Sequence, residues 1–227
     1  MNTKRIGLIV AVEISAVLKK YGERLEKLPA RGFEVMRLTL NDYTLYIVSS
    51  GAGEIAAAAA AQYLISVHDV DMILNFGVVG GLTEEMTVAR LALIKEVVHY
   101  DFDAGAWLGY EKGRYADYPT PFIKTDETLF EAALKAEPEL KPVVCASGDK
   151  FVADAKKKRE LHEEFCADIC EMESAGILIT ANRSGVPCLF IKAVSDSIHG
   201  GSDEFEREIE RCAEICLDTL DKVIHSI

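Results

Sequence analysis

Four short clusters in this 227-residue sequence carry residue types that chemistry on a small ligand requires. They are Gly51-Ala52-Gly53, Gly77-Val78-Val79-Gly80-Gly81, Glu171-Met172-Glu173 and Ser195-Asp196. Carboxylates can move protons or stabilise developing charge, and glycines let a backbone approach closely. Each cluster alone also has a structural reading. Glycines after a strand permit a tight turn, and neither glycine cluster is a G-x-G-x-x-G or Walker loop. Ser-Asp caps helices, and Glu-Met-Glu suits a helix N-terminus, where the dipole favours negative charge. No serine-hydrolase elbow is present, and His68, His99, His162, His199 and His225 lack metal-ligand spacing.

The elements that must position these clusters alternate along the chain. Apolar runs rich in Val and Ile predict strands at 6–12, 32–40, 43–50, 71–77, 88–99, 142–147, 168–171 and 188–194. The Asn41-Asp42 pair between the second and third reads as a hairpin turn. Helical patterns follow the first strand to about Tyr21 and open at Gly51-Ala52-Gly53 through an alanine-rich stretch to about Val67. Others run from an Asp126 cap to Ala136, over 155–165, over 173–183 with Gly185 closing it, and from Glu204 to the end. Residues 100–125 hold aromatics, glycines and prolines without a period and read as a long functional loop. The order predicts a single α/β domain over 1–227, with a mixed central sheet covered by helices on both faces. Ligands in such sheets bind beyond the strand C-termini, where all four clusters fall.

Composition narrows the partners. The chain is 49% hydrophobic and 27% charged, as a globular domain is, and its net charge of -12 opposes a phosphate backbone. The densest basic run, Lys156-Lys157-Lys158-Arg159, is followed by Glu160, Glu163 and Glu164 and reads as a solvated helix face. No nucleic-acid partner is expected. No membrane contact is expected either: the longest apolar stretch, 55–67, is broken by Gln62 and is too short to cross a bilayer. Six cysteines without a C-x-x-C, two of them (Cys212 and Cys216) on the apolar stripe of the last helix, point to buried thiols in a cytoplasmic protein.

Taken together, the clusters resemble one family: the bacterial methylthioadenosine/S-adenosylhomocysteine nucleosidases of the purine nucleoside phosphorylase/nucleosidase superfamily. Ser50-Gly51-Ala52-Gly53 is similar to that family's S-G-x-G, and 75–82 (NFGVVGGL) to its N-T-G-S-A-G-G-L. Tyr100-Asp101-Phe102-Asp103 with Gly109-Tyr110-Glu111 resembles its H-D-x-D and G-Y-E loop. Ser147 to Val152 resembles S-G-D-x-F-I, 171–173 matches E-M-E, and Ala193-Val194-Ser195-Asp196 matches A-I-S-D. The last two are the specific matches.

The resemblance implies a partly curled, barrel-like sheet, a homodimer, no cofactor or metal, and a role in nucleoside catabolism and methionine salvage. It implies hydrolysis of the N-glycosidic bond of a purine nucleoside, methylthioadenosine or S-adenosylhomocysteine. Adenine leaves poorly as an anion, so an acid must protonate its five-membered ring, and Asp196 stands in the matching place. Glu173 matches the carboxylate beneath the ribose, which favours the developing cation. By the same resemblance Phe151 stacks on the base, the Val152 backbone bonds its edge, and Met172 lines the ribose. Glu171 and Ser195 belong to the same motifs, and Gly80 admits the nucleoside close to the backbone.

The pattern departs at the nucleophile end. The family places a water-activating glutamate three residues after a methionine at the end of the first strand. Counting without a gap puts Val12 at that methionine and Ser15 at that glutamate. Glu13 falls two residues early, and on a helix would point away from the catalytic face. Lys192 replaces an arginine, Val78 a serine, and Ser202 stands before Asp203-Glu204-Phe205 where an aromatic would close over the substrate. Two alternatives follow. A phosphorylase would need cations at 11–15 and 75–81, where none occurs. A nucleoside-binding protein with impaired catalysis would fit a lost water-activating group. For the dimer, Val78-Val79 and the loop near Trp107 are the candidate surfaces.

Overall fold

Side-chain alternation along the first strand sets the layers. In the computed structural model, which describes residues 3–40 and 42–227, β1 (Lys4–Val10) sends Ile6, Leu8 and Val10 to one face and Ile9 to the other. A short turn leads to α1 (Ile14–Tyr21), and β2 (Glu26–Leu28), β3 (Glu34–Thr39) and β4 (Tyr43–Ser49) form an antiparallel meander. Strand β2 has no counterpart in the predicted elements, because three residues carry too little periodicity to read. Asn41 lies outside the described residues, but the Leu40 N–H donates to the Tyr43 carbonyl at 2.9 Å across the expected hairpin turn.

The alanine-rich α2 (Glu54–His68) buries Ala57, Ala60, Ala61 and Leu64. Strand β5 (Met72–Gly81) runs straight through the glycine cluster rather than stopping at Gly77. Next come β6 (Leu91–His99), the one-turn α3 (Gly105–Leu108) and β7 (Phe122–Lys124). The segment expected as an unbroken loop therefore contains a helical turn and an edge strand on β6. Asp126 caps α4 (Glu127–Ala136) by accepting the Leu129 N–H at 2.9 Å, as its sequence position predicts. The chain ends with β8 (Lys141–Ser147), α5 (Ala155–Phe165), β9 (Ile169–Glu171), α6 (Ser174–Ser184), β10 (Cys188–Asp196) and α7 (Ser202–Ile224).

The described strands form one mixed sheet in the order β10-β6-β8-β9-β5-β1-β4-β3-β2, with β7 on β6 and β10 also paired to β5. That second pairing closes β5, β10, β6, β8 and β9 into a ring, and β1 to β4 extend from it as an open wing. Helices α1, α4 and α7 pack on one face and α2 and α6 on the other. The single α/β domain with a partly barrel-like sheet is the fold the sequence implies. Cys212 and Cys216 lie wholly buried on the α7 stripe. Val78 and Val79 are buried on opposite faces of β5, so they cannot serve as an interface; Trp107 is 84% exposed and can. Among the described residues no helix is long and apolar enough to cross a membrane.

The ring matters for position. Strands β1, β4, β5 and β10 are parallel neighbours, so their C-terminal ends open on one side. Strand β9 returns antiparallel against the last two residues of β5, pairing Gly80 with Cys170 and Gly81 with Ile169. Glu171, Ser195 and Asp196 are thereby brought around a common mouth.

Candidate active site

A cavity of about 130 Å³ opens at that mouth. All eight residues singled out from sequence border it: Gly80, Phe151, Val152, Glu171, Met172, Glu173, Ser195 and Asp196. They come from β5, the segment after β8, the β9–α6 junction and the end of β10. Phe151 is 49% exposed and meets Phe205 of α7 edge to face, with ring centroids 5.1 Å apart. Phe205 also borders the cavity, so an aromatic does stand at its edge despite Ser202. It lies three residues beyond the expected place, on the inner side of the α7 start.

The nucleophile end corrects the sequence reading. Helix α1 begins only at Ile14, so Glu13 belongs to the preceding turn, and the helical argument for its facing away does not apply. Its side chain turns inward, is almost wholly buried and borders the cavity. One carboxylate oxygen accepts the Val78 N–H at 2.8 Å and the other its neighbour Val12 N–H at 3.0 Å. A Cβ on Gly77 would fall 2.9 Å from that first oxygen, so glycine there makes room for the carboxylate. Ser15, by contrast, is exposed on the first turn of α1, away from the cavity. Ungapped counting led to Ser15 because it matches positions along the chain, whereas the turn before α1 folds the Glu13 side chain inward onto the Val12 and Val78 N–H groups.

The ribose end gathers carboxylates. Glu173 accepts the Gly53 N–H at 3.0 Å, and burial, then the neighbouring Glu171 charge, push it up to about 7. Glu171 accepts from the Ser174 backbone at 3.0 Å and hydroxyl at 2.9 Å, and pairs with the buried Lys192 ammonium at 3.1 Å. Burial works to raise Glu171, but Lys192 and these donors together hold it below the usual carboxylate range. Its oxygens are thus committed to the α6 N-terminus and to Lys192. Behind them Glu54 accepts from the Ser147 hydroxyl and the Gly176 N–H, both at 2.5 Å. Burial, then Glu171, push Glu54 up to about 8.

The base end is built differently. Asp196 is 2% exposed; one oxygen accepts the Ser195 hydroxyl at 2.9 Å, and the other meets the Lys158 ammonium at 2.5 Å. Lys158 is wholly buried and also donates to the carbonyls of Ser197 at 2.6 Å and Gly200 at 3.3 Å. The solvated basic face read from sequence therefore loses one member. Its spacing held the signal: Lys158, Leu161 and Phe165 recur at helical intervals and form the buried stripe of α5. A Cβ on Gly80 would sit 3.2 Å from Asp196 Oδ2 and 3.5 Å from Lys158 Cε, so glycine at this place makes room for the pair as well as for a ligand.

With this geometry in view, known proteins group clearly around the chain. Residues 5–227 match the phosphorylase superfamily. A 5'-methylthioadenosine/S-adenosylhomocysteine nucleosidase from Shewanella halifaxensis is 32% identical over 205 residues, covering 87% of this chain and 88% of that one. The nucleosidase of that name from Neisseria meningitidis, solved in complex with methylthio-immucillin-A, superposes with a TM-score of 0.91 at 26% identity over 99% of this chain and all of that one. Futalosine hydrolase of Helicobacter pylori superposes with a TM-score of 0.92 at 25% identity over 99% of each chain. The chain belongs to the phosphorylase superfamily.

Proposed function

We propose that the protein hydrolyses the N-glycosidic bond of an adenine nucleoside, with 5'-methylthioadenosine or S-adenosylhomocysteine as substrate. The observation that carries this reading is the pair of carboxylates, Asp196 and Glu13, bordering one cavity from different walls, with Glu173 beside them. As the C1'–N9 bond breaks, its electron pair passes to the base, and Asp196 protonates the five-membered ring. Positive charge develops on the ribose, and Glu173 stabilises it from the ribose side. A carboxylate has about four acceptor directions, and backbone N–H groups occupy two of Glu13's, leaving others for a water. That water attacks C1' and gives its proton to Glu13. Phe151 stacks on the base, the Val152 backbone reads its edge, Met172 lines the sugar, and Gly80 admits it. Ser195 orients Asp196, and Glu171, tied to Lys192, fixes the frame that carries Glu173.

Buried Glu13 at the nucleophile end disfavours phosphate there, because two anions would share a poorly screened site. A phosphorylase is thus the weaker reading, and a binding protein without catalysis loses its basis once Glu13 occupies the cavity wall. We assign the protein to nucleoside catabolism and methionine salvage in the cytoplasm, in keeping with six free thiols, of which five are buried as expected and Cys166 is exposed. A homodimer is supported by Trp107 and Ile55, two large apolar side chains more than four-fifths exposed. Light scattering should give twice the chain mass of 25.0 kDa; a monomer at micromolar concentration would refute the dimer.

The test is chromatography of free base from methylthioadenosine, S-adenosylhomocysteine, adenosine, futalosine and uridine, each with and without phosphate. Adenine should appear from the first two at rates independent of phosphate. Preferential cleavage of uridine, or release only with phosphate, would overturn the reading.

A further inference from the structure

Among the described residues, the wholly buried Lys158 is the basic side chain at the base end that the chemistry above leaves without a task. Burying an ammonium is costly unless it is paired and bonded throughout, and here β10 and the connection after it supply its partners. From β10 comes the Asp196 carboxylate at 2.5 Å, and from the β10–α7 connection come the carbonyls of Ser197 and Gly200. Across the gap from α5, β9 presents the buried Cys170 thiol, with Glu171 next to it. From α7, Glu204 ties down the connection by accepting the Ser197 N–H at 2.7 Å and the Ser197 hydroxyl at 2.9 Å. Asp196 is therefore the anion in direct contact with the ammonium. The other oxygen of Asp196 takes the Ser195 hydroxyl, so the carboxylate is held from both sides.

We propose that Lys158 is a positioning residue that also holds the proton Asp196 delivers to the departing base. This rests on Asp196 as the group that protonates the base. The step balances as follows. The C1'–N9 electron pair enters the purine, Asp196 gives a proton to the five-membered ring, and the Lys158 ammonium gives one to Asp196. The attacking water loses a proton to Glu13, and when the products leave Glu13 gives that proton to solvent while solvent returns one to Lys158. The net reaction adds the hydroxyl of water to ribose and its hydrogen to the base.

An ammonium keeps its proton to more alkaline pH than a lone carboxyl does. The kcat/KM profile for base release therefore separates this role from a purely structural one. In Lys158→Met the alkaline limb should move down by roughly two pH units or more, with turnover on the acid side within about tenfold of the parent. A uniform loss with an unmoved limb would overturn the proposal. Should Lys158→Met not fold, Lys158→Arg decides, since a guanidinium can hold the carboxylate but does not release its proton. It should then lose turnover about tenfold or more at little change in KM. Turnover equal to the parent would overturn the proposal. Full activity of Asp196→Asn would instead remove the underlying assignment, which keeps the two failures distinct.

Discussion

The two ends of the cavity use the same ingredients in opposite proportions. At the base end one aspartate meets one lysine, 2.5 Å apart, and the pair is neutral. At the ribose end Glu13, Glu54, Glu171 and Glu173 are all buried, and among the described residues the buried lysine facing them is Lys192. Burial would lower its ammonium, but Glu171, Glu173 and Glu13 outweigh that and raise it. A balanced pair suits the delivery of a proton, which leaves the local charge count unchanged. A surplus of carboxylates suits a sugar that becomes cationic in the transition state. The surplus has a cost, since Glu54 and Glu173 are both pushed up by burial and by Glu171. The difference teaches that the reaction's charge separation is already drawn in the side chains around the cavity.

The largest effect expected from breaking this contrast is at Asp196. Asp196→Asn keeps the shape and removes the proton, and turnover should fall by about a hundredfold or more with binding largely kept. Retained turnover would exclude it as the acid. Glu13→Gln should cost somewhat less, about tenfold to a hundredfold in kcat, because the ribose cation needs limited help from the nucleophile. Calorimetric binding of a substrate analogue alongside initial rates separates the two terms.

These two positions also mark where sequence was legible. Asp196 was placed by resemblance, through the A-V-S-D that follows the strand expected at 188–194; the structure extends that strand to Asp196 and sets it against the cavity. Glu13 was not legible, because a sequence does not show that the turn before α1 folds its side chain inward. Likewise α5 was legible over its full span of Ala155–Phe165, while Lys158 was hidden by the charges around it. The mixed sheet followed from the order of elements. Its ring closure, in which β10 pairs with β5 and the short β9 links β8 to β5, came only from resemblance, since three residues of strand carry no pairing signal.

Glu173 sharpens the comparison through pH. Its carboxyl is pushed up to about 7, so its charge appears, and kcat should rise, as pH increases through that value. Glu173→Gln should abolish this limb, lower kcat and raise KM, since ribose contacts exist before the transition state. A limb that persists in the variant would assign it elsewhere. Glu54 should show in stability instead. A carboxyl raised from 4.5 to about 8 in the folded state binds its proton more tightly than the unfolded chain does. Its contribution is therefore full below 4.5 and lost as pH rises through about 8. Thermal melts should show Tm falling over that window, and Glu54→Gln should flatten the fall. The smallest effect is at Ser15: exposed on α1, it can become Ala or Glu with turnover unchanged within about twofold. A large gain in Ser15→Glu would contradict the place given to Glu13.

The most direct test of the account is a single-turnover cleavage of methylthioadenosine in ¹⁸O-labelled water containing phosphate, with mass spectrometry of the sugar. A water nucleophile held by Glu13 predicts free adenine and a free sugar carrying the label on C1'. A sugar 1-phosphate, or base bound over hours without release, would contradict it.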